Sequence, residues 1–295
     1  MKTRMMTLAL ICIVAVGVKA QNIYVSSYTD GTIDEYGMDG STVSTPLISG
    51  VLEPEGFAIS GNDVFVANSA SENGAYTIGE YTTSGATVNT SLISGLSAPF
   101  GVAISGNDLF VANWGNGTIG EYTTSGATIN TALVTGLSHP AGIAISGNDL
   151  FVANRDGSTV GEYGLDGSTI NASLISSGLD EPLGIAVSGN DLFVANSFIG
   201  TVGEYTTSGT PVNVSLITGL TVPFGITAFG DNLFVADWGG TIGEYGLDGS
   251  TINASLISGL DDPTDIAIIP APEPSALTMV GLGVAAIWLW RLVRM

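Results

Sequence analysis

The stretch from Pro99 to Leu137, PFGVAISGNDLFVANWGNGTIGEYTTSGATINTALVTGL, decides the fold of this chain. Turn chemistry cuts it into four short pieces. Gly101 to Ser105 is an apolar run that reads as a first strand, and Gly106-Asn107-Asp108 is a turn. Leu109 to Asn113, β-branched and aromatic, is a second strand, followed by a loop from Trp114 to Gly117. Thr118 to Tyr122 is a third strand, Thr123 to Ala127 a turn, and Thr128 to Thr135 a fourth strand. No piece carries a 3.6-residue apolar period, so almost no helix is expected in the body.

The second strand is apolar on both faces, with Leu109 and Val111 on one and Phe110 and Ala112 on the other. A strand with one face in water would alternate. This strand therefore belongs to a sheet covered on both sides. It recurs at Val64 to Asn68, Leu150 to Asn154, Leu192 to Asn196 and Leu233 to Asp237.

The unit repeats. A Glu-Tyr pair stands at Glu35, Glu80, Glu121, Glu162, Glu204 and Glu244, at spacings of 45, 41, 41, 42 and 40 residues. A period of this length fits one four-stranded blade of a β-propeller. The body opens with Asn22 to Ser26, a second strand without a first, and closes with Pro263 to Ile268, a first strand without a second. The two fragments complement one another, so the fold class is all-β: a six-bladed propeller over residues 21–270, closed by pairing of its N- and C-terminal strands, which leaves no open edge between blades.

The series Pro-x-Gly-[Ile/Val]-Ala, Leu-Phe-Val-Ala-Asn, Gly-Thr-Ile-Gly-Glu-Tyr resembles NHL-type repeats and the wider group of gluconolactonase-like and streptogramin-lyase-like propellers. The resemblance implies fold more than activity. In gluconolactonase-like relatives a divalent metal sits at the channel mouth on Glu, Asn and Asp. Here it implies Glu55, Asn154, Asn196 and Asp237, an oxygen set suited to Ca²⁺ or Mg²⁺. The lyase-like route relies on a histidine base, and this chain has one histidine, His139.

Both ends read as addresses. Residues 1–20, MKTRMMTLALICIVAVGVKA, pair a basic start with an apolar run and a small-residue cleavage site, as a secretory signal peptide does. Residues 271–295 hold Pro272-Glu273-Pro274, an apolar stretch from Ala276 to Trp290, then Arg291 and Arg294. That stretch is short but suits a transmembrane helix with its basic end on the cytoplasmic side. Triplet, helix and basic end together resemble a PEP-CTERM sorting signal. The resemblance implies recognition by an exosortase-type enzyme, export across the inner membrane and transient membrane anchoring, followed by placement at the cell surface or outside the cell. Cys12 is the one cysteine and lies in the leader, so the mature chain has no disulfide.

Charge excludes one class of partner. Between residues 21 and 270 stand 26 of the 27 acidic residues and, as the sole Lys or Arg, Arg155, for a net charge of −25. Such a surface repels phosphate backbones, so nucleic acid is not expected, while cations and cationic partners are attracted.

Residues shared by every blade are read as architecture. The informative ones break the symmetry, in the loops before each first strand and after each second strand, which open on one face of a propeller. Glu53, Glu55, His139, Glu181, Asp261 and Asp262 fall in the first set; Tyr28, Trp114, Arg155, Phe198 and Trp238 fall in the second. Variable aromatics with the body's one histidine and one arginine make Trp114, His139, Arg155, Phe198 and Trp238 a candidate ligand face. No Ser-His-Asp set, Walker loop or dinucleotide fingerprint is present. The sequence thus favours a binding module without a cofactor, its partner an extracellular polysaccharide, a cation or an envelope protein. The alternative is a metal-dependent lactonase- or lyase-like enzyme, and a third reading is a structural surface protein without a discrete ligand.

Overall fold

Each second strand is buried on both faces, as its residues require. In the computed structural model, which describes residues 21–70 and 76–269, Leu109 and Val111 pack with Phe65, Ala67 and Ile78 on one side. Phe110 and Ala112 pack with Leu150 and Val152 on the other. The same arrangement holds between every pair of neighbouring sheets, so the core is six inter-sheet clusters, joined by a smaller axial one of Ala141, Leu183 and Phe224. The expectations for residues 1–20 and 271–295, including the signal helix, the transmembrane helix and Pro272-Glu273-Pro274, lie outside the described residues. Among the described residues no helix is long and apolar enough to cross a membrane.

Six four-stranded antiparallel sheets form the blades. Blade 1 takes β1 (Asn22–Ser27), β2 (Thr32–Gly37) and β3 (Thr42–Ser49), and its innermost strand is the last of the chain, β24 (Pro263–Ile269). Blades 2 to 6 then follow in chain order, from first strands β4 (Pro54–Ser60), β8 (Pro99–Ser105), β12 (Pro140–Ser146), β16 (Pro182–Ser188) and β20 (Pro223–Phe229) to outer strands β7 (Thr87–Ser94), β11 (Thr128–Val134), β15 (Thr169–Ile175), β19 (Pro211–Thr218) and β23 (Thr251–Ser258). The first strands begin at the proline, two residues earlier than the apolar pattern suggests. The sequence places a loop after Asn113, and one 3-10 turn forms there, at Trp114–Asn116.

The ring closes as the terminal fragments imply. β24 pairs with β1 in register Ile268 to Ile23 and Ile266 to Val25. The Ser26 and Thr264 hydroxyls meet at 2.8 Å across this seam.

The first strands pack against each other around the axis in the order β24, β4, β8, β12, β16, β20. A glycine two residues after the proline allows this. A Cβ on Gly101 would stand 2.3 Å from the Ala141 carbonyl oxygen, and one on Gly142 2.4 Å from that of Leu183. The sixth position is Asp265, whose carboxylate accepts the Phe57 N–H of blade 2 at 3.0 Å. Gly142→Ala is therefore expected to cost about 1–3 kcal/mol by overpacking. Urea denaturation checks this; an unchanged midpoint would mean that the blades do not approach so closely.

Candidate functional site at the axial mouth

The mouth is built by two repeated hydrogen-bond devices. Each second strand ends in Asn or Asp (Ser27 in blade 1), and in most blades that side chain holds the loop leading into the first strand. Asn68 accepts the Leu52 N–H at 3.2 Å, Asn113 the Ser97 N–H at 3.2 Å, and Asn196 the Asp180 N–H at 3.3 Å. Asp237 accepts from both Thr221 and Val222 at 2.8 Å. Asn154 donates to the Thr159 hydroxyl at 3.4 Å. The oxygens of Asn196 and Asp237 are thus already engaged by N–H donors, as loop staples. Among the described residues no group of three or more His, Cys, Asp and Glu stands close enough to hold a metal ion.

The second device ties the two mouth loops of each blade together. The N–H groups of Tyr28, Ser69, Trp114, Arg155, Ser197 and Trp238 donate to the carbonyls of Asp262, Glu53, Ala98, His139, Glu181 and Val222, at 3.0 to 3.2 Å. Each acceptor directly precedes a blade's proline. Five of them hold a left-handed φ between 45° and 50° without being glycine, a strained conformation that turns the chain sharply into the inner strand.

Three positions per blade therefore face the mouth: the residue before the proline, the residue after it, and the residue that closes the hydrogen bond. The residues after the proline are Thr264, Glu55, Phe100, Ala141, Leu183 and Phe224, from blades 1 to 6 in turn. These lie nearest the axis. Blades 3 and 6 are opposite in the ring, and their Phe100 and Phe224 rings stack across it at 5.5 Å. The contact chain continues outward, from Phe100 to Trp114 at 5.2 Å and from Phe224 to Trp238 at 5.0 Å, and on to Tyr28 at 6.0 Å. An aromatic bar spans the mouth.

The bar separates two unlike halves. On the side of blades 4 and 5, Arg155 binds Glu181 at 2.5 Å and lies 5.4 Å from the Trp114 ring. His139 binds Asp156 at 2.6 Å and packs on Trp114 at 4.8 Å. Each of these four side chains has an ion-pair or hydrogen-bond partner. On the side of blades 1 and 2 stand Asp262, Glu53 and Glu55. Asp262 accepts the Thr29 hydroxyl at 2.6 Å, and Tyr28 hydrogen-bonds Glu53. Glu55 has one oxygen that is buried and without a hydrogen-bond partner. Burial, then the charges of Glu53 and Asp265, push its pKa up to about 8. Asp265, buried and held by two N–H groups, is pushed up to about 7.

These features enclose a cavity of about 510 Å³ lined by Glu53, Glu55, Phe100, Trp114, Arg155, Phe198, Phe224 and Trp238, among others. Of the aromatic and charged residues read from the sequence, Trp114, Arg155, Phe198 and Trp238 line it. His139 braces Trp114 from outside the lining. Of the oxygen set, only Glu55 does so. Phe198 is 72% exposed at the rim. Phe100, Leu183 and Phe224 were not singled out. Their signal was the middle residue of Pro-x-Gly, which varies from blade to blade while both neighbours repeat.

No protein-family profile matches this chain, and no curated protein matches its sequence. Solved structures do match its fold. A chain of the nidogen/laminin complex superposes with a TM-score of 0.72 at 19% identity, over 84% of this chain and 98% of that one. Streptogramin B lyase gives 0.63 at 19% identity, over 83% and 82%. Virginiamycin B lyase from Staphylococcus aureus gives 0.59 at 21% identity, over 86% and 82%. The likeness establishes the six-bladed propeller, and its neighbours include both a protein-complex component and lyases.

The raised carboxylates make stability pH-dependent. Glu55 and Asp265 bind their protons more tightly folded than unfolded. They favour folding fully below the ordinary carboxylate pKa of about 4 and lose that contribution as pH rises to about 8. Melting temperature is expected to fall between about pH 5 and pH 8, with a shallower fall in Glu55→Gln. Parallel profiles for the two proteins would contradict the burial assigned to Glu55.

Proposed function

We propose that this chain is an exported binding module of the cell surface or extracellular matrix, and that it takes its ligand at the axial mouth. One observation carries the reading: near-identical blades diverge at the three mouth positions, where aromatic and charged side chains line one cavity. A rigid repeated scaffold with its variation gathered at one concave site is the arrangement expected of a recognition surface. The ligand is an extracellular polysaccharide or an envelope protein. Export rests on the signal-like residues 1–20. Sorting by an exosortase-type enzyme, with anchoring before release, rests on Pro272-Glu273-Pro274 and the apolar, basic-ended tail. A lyase- or lactonase-like activity has less support, because His139 lies outside the cavity lining and the oxygens of Asn196 and Asp237 accept backbone N–H groups.

The test is retention of extracted matrix polysaccharide and envelope protein on the immobilised protein. Replacing Phe198 and Trp238 together by Ala is expected to weaken retention roughly tenfold or more, as loss of aromatic contacts with a ligand does, with the melting temperature nearly unchanged. Equal retention by both proteins would contradict binding at the mouth.

A further inference from the structure

Carboxylates on one side of the aromatic bar have a cationic partner, and those on the other side have none among the described residues. Arg155 is the one Lys or Arg among the described residues. It is committed to Glu181 at 2.5 Å and Asp156 at 3.6 Å, with its guanidinium over Trp114. Among the described residues no other Lys or Arg remains for Glu53 and Glu55, in a body carrying a net charge of −25. Burial and the neighbouring charges hold a proton on Glu55, and a cationic donor bound at its carboxyl group would stabilise the ionised form against them.

The surroundings of Glu55 restrict the donor's type. The cavity it shares with Phe100, Phe224, Trp238 and Tyr28 offers aromatic carbon that suits the methylene chain of an organic cation. A divalent metal would need several oxygens, and the walls supply aromatic carbon.

The rim restricts the carrier. Leu52, Phe198, Ile199 and Trp238 are exposed by 40%, 72%, 47% and 36%, all in loops of the mouth face. Exposed apolar residues around a cavity that holds one long side chain are the pattern of a protein-recognition centre.

We propose that the mouth receives a lysine side chain from a loop of a protein partner. Its ammonium donates to Glu55, its stem lies on Phe100 and Phe224, and apolar neighbours of that lysine cover the Leu52, Phe198 and Trp238 rim. This rests on the reading of the mouth as the binding site and names the ligand chemistry.

The experiment titrates the full-length protein at low ionic strength with the peptide acetyl-Leu-Lys-Leu-amide, its Nε-acetyl-lysine counterpart, glucosamine and glucose. Tryptophan emission and calorimetry give the readout. The lysine peptide is expected to bind saturably and roughly tenfold more tightly than the acetylated one, a ratio set by the charged hydrogen bond. Glu55→Gln should bring the two peptides within about twofold, and Phe198→Ala should weaken both. Equal binding of the two peptides overturns the proposal, as does unchanged discrimination in Glu55→Gln. Binding of either sugar without the lysine peptide also overturns it, while leaving the mouth as the binding site. Silence from all four probes overturns it too; the broader reading then stands or falls on the retention lost with Phe198 and Trp238.

Discussion

Backbone meets backbone at the axis of this propeller, and everything at the mouth depends on that approach. Where neighbouring first strands pass, the space beyond a glycine Cα is already filled by the next strand's carbonyl, at 2.3 to 2.5 Å for four of the five glycines. The strands can draw this near only because the position carries no side chain. The residue just before each of these glycines is then pressed toward the axis. Phe100 and Phe224, from opposite blades, come into ring contact, and Glu55 stands beside them at the floor of the cavity.

The same closeness explains the burial of Glu55. A carboxylate at the mouth of an open channel would keep its water. Here the aromatic bar and the inner strands exclude it, and one oxygen is left without a partner. The sixth glycine position is Asp265, which meets two backbone N–H groups and so keeps the seam between blades 1 and 2 in hydrogen bonds. The acidic half of the mouth thus borders blade 1, where β24 pairs with β1, and the half that holds Arg155 lies opposite.

Much of this architecture was legible in the sequence. The doubly apolar second strand called for two covered faces, and the complementary terminal fragments called for closure through β24 and β1. Loops flanking the first and second strands opened on one face, and four of the five residues in the expected ligand face line one cavity. Other features were not legible. Periodicity separates the two faces of a strand but does not tell which repeat position points down the axis, so Phe100 and Phe224, just ahead of the expected first strands, do not stand out as mouth residues. Nor does it distinguish an Asn that ties a loop from one that is free to bind an ion. The gluconolactonase-like resemblance implies Asn196 and Asp237 as oxygen ligands, but such residues recur at the strand ends, where the loop's N–H groups need acceptors.

The most direct measurement is a double-mutant cycle on the axial pair: Phe100→Ala, Phe224→Ala and the double variant, unfolded by denaturant. The two residues are far apart in sequence and share no blade, so they couple only if the inner strands close as described. The account predicts a coupling of about 0.5–1.5 kcal/mol, the range of aromatic pairs in contact. Strictly additive losses would contradict the stacked bar and, with it, the cavity built upon it.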